Sequence, residues 1–171
     1  IWWVLRMLNE KGQAVLLDVF FAVLIFMIVF FSLNQSWDRE LQKTNDYFET
    51  QELQLKANNI LDSLLKGEGS PSNWNELDFN SDVSKIGLAK KSLSLSPQKV
   101  NAFKNLDSNY SQVKLLFGVP EYDYFFQLDA ENDVNAGIDP GNSFEKKILL
   151  RRVVEFDGSE AIVNFALYKI G

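Results

Sequence analysis

Between Ala14 and Leu33 the chain reads AVLLDVFFAVLIFMIVFFSL, with one charge, Asp18, and neither Gly nor Pro. No other feature constrains the fold as strongly. About 20 apolar residues at roughly 1.5 Å rise each match a bilayer core of about 30 Å. A helix on the surface of a water-soluble domain keeps a polar face, and this stretch has none. The run therefore predicts a membrane-spanning helix over residues 14–33. A cleaved secretory signal is the competing reading. Its apolar region is about 7–15 residues and closes on small residues at a cleavage site. The run here is longer and ends in Phe30-Phe31-Ser32-Leu33-Asn34, so the helix is expected to stay with the mature protein.

Flanking charge sets the orientation. Arg6 and Lys11 precede the span, whereas Asp38, Arg39, Glu40 and Lys43 balance after it. The positive-inside rule then puts the N-terminus in the cytoplasm and the larger C-terminal part outside. Ile1–Arg6 reads either as sequence upstream of a start at Met7 or as a short interfacial anchor helped by Trp2 and Trp3. The chain contains no Cys and no His. Disulfides, thiol nucleophiles, thiolate or imidazole metal sites and the Ser-His-Asp triad are thereby excluded. A net charge of −6 with a pI near 4.7 argues against binding a phosphate backbone.

From Gln13 to Lys66 there is again neither Gly nor Pro, and Gly67-Glu68-Gly69-Ser70-Pro71 then supplies a stop. One spine helix of roughly 80 Å is expected over 13–66. Its second half is amphipathic in an unusual way. At about 100° per residue, Trp37, Leu41, Phe48 and Leu55 share one face, and Leu53, Ala57, Ile60, Leu61 and Leu64 lie roughly opposite. One apolar stripe fades as another begins. Either the two faces serve two partners, the head on the later one and neighbours or membrane on the earlier, or Trp37 and Leu41 are interfacial anchors and Phe48 is incidental.

Lys11-Gly12-Gln13 stands directly before the apolar run, with the carboxylate of Asp18 shortly inside it. This resembles the class III signal peptide of archaeal type IV pilin-like proteins. Further likeness lies in Pro71-Ser72-Asn73-Trp74, Gly87-Leu88-Ala89, and Arg151-Arg152-Val153-Val154 before Asp157-Gly158. The resemblance implies cutting between Gly12 and Gln13 by a prepilin-type peptidase, with residues 1–12 as leader. It departs from the family pattern in having Leu17 at the fifth mature position and Asp18 at the sixth. It also implies a role for Asp18. A carboxylate in hydrocarbon costs about 2.5–3.5 kcal/mol and needs a partner. The new amine of Gln13 on a neighbouring copy would supply one during assembly. The alternative is that Asp18 lies near the interface and reaches water.

Residues 67–171 have the composition of a water-facing domain, and the orientation makes it an extracytoplasmic head. Trp74 and Leu77 are expected to pin its first loop to the spine, and Val83–Ala89 to form a short strand. Ser96-Pro97 opens a helix carrying Val100, Phe103 and Leu106. Ser108 caps a second one through Val113 and Phe117, stopped by Gly118 and Pro120. Tyr122–Leu128 reads as a strand. Ile148–Phe156 and Ala161–Lys169 flank Asp157-Gly158-Ser159-Glu160, a hairpin signal. The fold class is thus α+β: a long N-terminal helix bearing a small antiparallel sheet and short helices.

Asp129, Glu131 and Asp133 alternate like ligands of a calcium loop. Val134 stands where that loop needs Gly, and the terminal Glu is missing, so a solvated loop through Asn142 is favoured over metal. Arg151-Arg152 reads as strand. Asn34-Gln35-Ser36 and Asn109-Tyr110-Ser111 are glycosylation sequons, and Asn109 stands clear of the membrane. No cofactor is expected. With Tyr122, Asp123 and Tyr124 alternating across a strand, an enzyme is the least supported class. Two readings remain. One is a structural subunit of an archaeal surface filament, major or minor, whose partners are copies of itself or other pilin-like subunits, the lipid membrane and the peptidase. The other is a single-span anchored binding or envelope protein that never polymerises.

Overall fold

The computed structural model describes the backbone of residues 2–77, 79 and 83–170, with side chains from residue 17 onward except Asn45. The chain divides into two compact units, residues 1–48 and 49–171. A single helix, α1 (Trp2–Lys66), begins in the first and ends in the second.

The first unit consists of α1 alone. No residue breaks the helix, and its polar side chains support it. Ser32 Oγ donates to the Ile28 carbonyl at 2.8 Å, Asn34 Nδ2 to Phe30 at 2.9 Å, Ser36 Oγ to Ser32 at 3.0 Å and Thr44 Oγ1 to Glu40 at 2.8 Å. These groups are satisfied within the helix and need no water to be so.

The second unit is an α+β head. After α1 come β1 (Ala89–Lys91), β2 (Ser94–Leu95), α2 (Pro97–Asn105), α3 (Tyr110–Leu116), β3 (Asp123–Asp129), β4 (Val134–Gly137), β5 (Lys146–Phe156) and β6 (Ser159–Lys169). The strands form one sheet in the order β1-β2-β5-β6-β3-β4. Its centre is the β5–β6 hairpin, in register from Lys146↔Lys169 to Phe156↔Ser159. Asp157 (φ 52°) and Gly158 (φ 80°) make the two-residue turn. Both positive φ angles are what a right-twisted hairpin needs, and Asp-Gly supplies them cheaply.

Alternation builds the core. Tyr124, Phe126 and Leu128 of β3 and Ala161, Val163, Phe165 and Leu167 of β6 point inward. They join Leu53, Ala57, Ile60, Leu61, Leu64 and Leu65 from the last turns of α1. Fully burying such a side chain contributes about 1.5–3 kcal/mol, so this face holds the helix in the head. Polar contacts bracket it: Lys146 Nζ reaches Glu49, and Arg152 donates to Asn58 Oδ1 at 3.0 Å. The Lys146 ammonium holds the Glu49 carboxyl below its usual range, through a hydrogen bond and its charge.

Four expectations change. The sheet is mixed, because β2 runs parallel to β5 while the other pairings are antiparallel. Val83–Ala89 is not a strand. Lys85 makes an isolated bridge to Ser70, Ala89 alone enters β1, and the amides of Leu88 and Ala89 go to the carbonyls of Leu64 (2.8 Å) and Gly67 (3.0 Å). With Leu93 N donating to the Leu65 carbonyl at 2.9 Å, these bonds cap α1. The helix ends at Lys66 with Gly67 just past it, as the sequence predicts, and the positive φ falls at Gly69. The stretch read as loop to Asn142 contains β4, with Val134 and Ala136 inward against β3. Ser108 does not cap α3: its hydroxyl bonds back to Asn105, and a 3-10 turn over Leu106–Asn109 leads in.

Candidate membrane-spanning and assembly surface

In a water-soluble helix the apolar residues would be covered. Here every described side chain from Leu17 to Phe48 is exposed. Phe26 is 65% exposed and Phe31 66%. The helix from Leu17 onward is long and apolar enough to cross a membrane, and its most apolar stretch is entirely unburied. Exposed apolar surface of this extent, far beyond the few hundred Å² tolerated on monomers, marks a membrane or protein interface.

Asp18 is exposed on this helix. Lys11, Gly12 and Gln13 lie outside the residues whose side chains are described, as do Trp2 and Trp3. The two stripes are where the periodicity placed them. Trp37, Leu41, Phe48 and Leu55 are 71%, 52%, 64% and 63% exposed, while Leu53, Ala57, Ile60, Leu61 and Leu64 are buried. Of the two pins, Trp74 is buried and donates from Nε1 to the Gly87 carbonyl at 2.8 Å, whereas Leu77 is 37% exposed.

The metal candidates do not converge. Asp129 ends β3 and accepts from Asn164 Nδ2 at 2.9 Å, and Glu131 and Asp133 point to solvent in the β3–β4 turn. Among the described residues no three carboxylates gather at ligand spacing. Asn109 is half-buried where the 3-10 turn meets α3.

Sequence reasoning missed a polar-aromatic cluster in the head. Tyr110 stacks on Tyr124 with ring centroids 4.8 Å apart, and Phe103 and Phe117 complete the surround. The Tyr110 hydroxyl donates to Asp123 Oδ1 at 3.1 Å and accepts from Tyr124 N at 3.0 Å. Lys114 donates to the same Asp123 oxygen at 2.8 Å. Burial pushes the Tyr110 and Tyr124 phenols well up, and Tyr168 to about 12. Each is thus held neutral into the alkaline range. The forewarning was Tyr122-Asp123-Tyr124 alternating across a strand, which fixes no partner.

No protein-family model matches the chain, and no curated protein or solved structure matches it. The unburied apolar helix is therefore the feature on which a functional reading rests.

Proposed function

We propose that the chain is a type IV pilin-like structural subunit of an archaeal surface filament, anchored by α1 before assembly and presenting residues 67–171 outside the cell. The observation that carries this reading is the continuity of α1, whose first part buries nothing while its last turns carry a folded head. Lys11-Gly12-Gln13 before the apolar run supports it. Lateral packing of such helices removes apolar surface from lipid contact, and heterologous contacts that do not close generate fibres. A single-span anchored protein with the same head is the second reading, and the exposed Trp37 favours it, since tryptophan sits at the headgroup level of a spanning helix.

The residue at the mature N-terminus separates the two. A start at Gln13, found by intact mass and terminal peptide mapping of protein from native membranes, is the outcome expected of a filament subunit. An uncut terminus in cells with an active prepilin peptidase would defeat that reading. Asp18→Ala is expected to leave membrane insertion intact and to reduce filament yield severalfold, measured on sheared surface material. Filaments at normal yield from that variant would remove the proposed pairing of Asp18 with the Gln13 amine.

A further inference from the structure

The charge of the head is segregated. Residues 83–106 contain five lysines, Lys85, Lys90, Lys91, Lys99 and Lys104, and no carboxylate. The whole chain carries −6, so everything outside this segment carries −11. Elsewhere in the head, Lys56, Lys66, Lys114, Lys146 and Lys169 each reach a carboxylate. Among the described residues Lys85, Lys90, Lys91 and Lys104 reach none, and all four are exposed.

Most of these lysines ring one place. A Cβ built on Gly67 would lie 3.8 Å from Lys85 Cε. Lys99 Nζ donates to the Glu68 carbonyl at 2.7 Å and approaches that of Ala89 at 3.4 Å, and Lys90 and Lys91 follow in β1. They form a collar around the C-terminus of α1. Neutralising the negative end of the helix dipole would be the ordinary reason for such a collar. Here that end is already occupied, because the Leu64, Leu65 and Gly67 carbonyls accept backbone amides. The lysine charge is surplus to the fold. The collar has no arginine to fork onto a planar anion, and the Trp74 ring beside it is buried and cannot stack a base, so it presents point charges to an extended acidic surface.

The same chain carries such a surface. The β3–β4 and β5–β6 turns converge on a concavity of about 110 Å³ whose lining includes Glu131, Asp157 and Glu160, together with Phe156 and Ala161. Glu155 is exposed beside it, and among the described residues none of these carboxylates meets a cation. We propose that the lysine collar docks onto this acidic concavity of a second copy of the chain, an electrostatic head-to-head contact separate from helix packing. The two patches adjoin on one head, since Lys91 lies across from Ser94, Ser94 from Glu155 and Glu155 from Glu160, and among the described residues no ion pair joins them; a two-fold contact between copies would set each patch against the other's opposite charge. The contact does not require cleavage at Gly12, so it stands or falls apart from the filament reading.

The test uses the full chain in non-ionic detergent micelles, which cover the apolar helix. Sedimentation velocity would be compared at about 0.01 M and about 1 M salt, where the Debye length is about 30 Å and about 3 Å. Association at low salt that dissociates at high salt is expected. Lys90→Glu with Lys91→Glu, and separately Glu131→Lys with Glu160→Lys, should each weaken it at least about tenfold, since opposed like charges cost more than about 1.4 kcal/mol. An equimolar mixture of the two variants should restore association, because the reversed collar then meets the reversed concavity. Thermal melting of each variant checks that the head is folded. A monomer at low salt, association indifferent to salt, or a mixture that stays monomeric would each overturn the proposal. Loss in the lysine variant with none in the acidic one would do the same, pointing to a different anionic partner.

Discussion

Tyr124 and Tyr110 stack face to face, yet their hydroxyls live in opposite circumstances. The Tyr124 hydroxyl is buried and meets no hydrogen-bond partner among the described residues, whereas Tyr110 bonds to Asp123 and to the Tyr124 amide. A buried polar group without a partner costs about 1–3 kcal/mol, and one well-made bond contributes about 1 kcal/mol. Tyr124→Phe is therefore expected to leave stability unchanged or raise it, while Tyr110→Phe lowers it by about 1 kcal/mol, both read by urea unfolding. Alkali probes the same cluster. Burial holds Tyr110, Tyr124 and Tyr168 above the usual phenol range, Tyr168 at about 12. The unfolded chain then loses these protons first, so the phenols' contribution to stability is constant below about pH 10 and falls as pH rises towards 12. A pH titration of the melting temperature checks this; a flat profile to pH 12 would show the phenols to be solvated. None of this was legible in the sequence, because stacking partners come from α2, α3 and β3, which only the tertiary fold brings together.

At the scale of elements, periodicity served α1 and the β5–β6 hairpin well, since both are governed by local chemistry. A 3.6-residue period marked Leu53, Ala57, Ile60, Leu61 and Leu64, and Asp157-Gly158 marked the turn. It served residues 83–95 badly. There the backbone is committed to capping α1 and then to a two-residue parallel pairing with β5 through Ser94 and Leu95, and neither leaves a pattern in side chains. The close fit at this cap is visible at Gly87, where an added Cβ would stand 2.3 Å from the Gly67 oxygen and 2.4 Å from the Gly69 nitrogen. Gly87→Ala must push backbone apart and is expected to cost about 1–3 kcal/mol. The two faces of α1 give a sharper contrast. Leu61→Ala empties a fully buried site and should cost about 2–5 kcal/mol. Leu55→Ala, on the exposed face, should stay within about 0.5 kcal/mol in the isolated protein. Chemical denaturation of both variants is the check, and equal losses would mean that the face bearing Leu55 is covered within a single copy.

For the whole molecule, the division at Phe48 and Glu49 is also a division of environments. Among the described residues every buried hydrophobic side chain lies between Leu53 and Tyr168, and the most apolar part of the chain contributes none. The composition foreshadowed this, since the apolar residues of 14–33 exceed what one stripe of a globular helix can hide. What it did not foreshadow is how much of the head's core α1 itself supplies, because half-buried strands and a half-buried helix leave similar apolar fractions. Removing the first unit therefore removes a lipid- or partner-facing surface and no core contact, whereas cutting at Gly67 would remove Leu53, Ala57, Ile60, Leu61, Leu64 and Leu65 at once. The fragment of residues 49–171 is expected to be soluble without detergent and to melt in one cooperative transition by circular dichroism. The fragment of residues 67–171 lacks five large buried side chains at about 1.5–3 kcal/mol each, a loss of the same size as the roughly 5–15 kcal/mol by which domains are stable, and is expected to stay unfolded. A folded 67–171 fragment would show that the end of α1 is an attachment to the head and not its central helix.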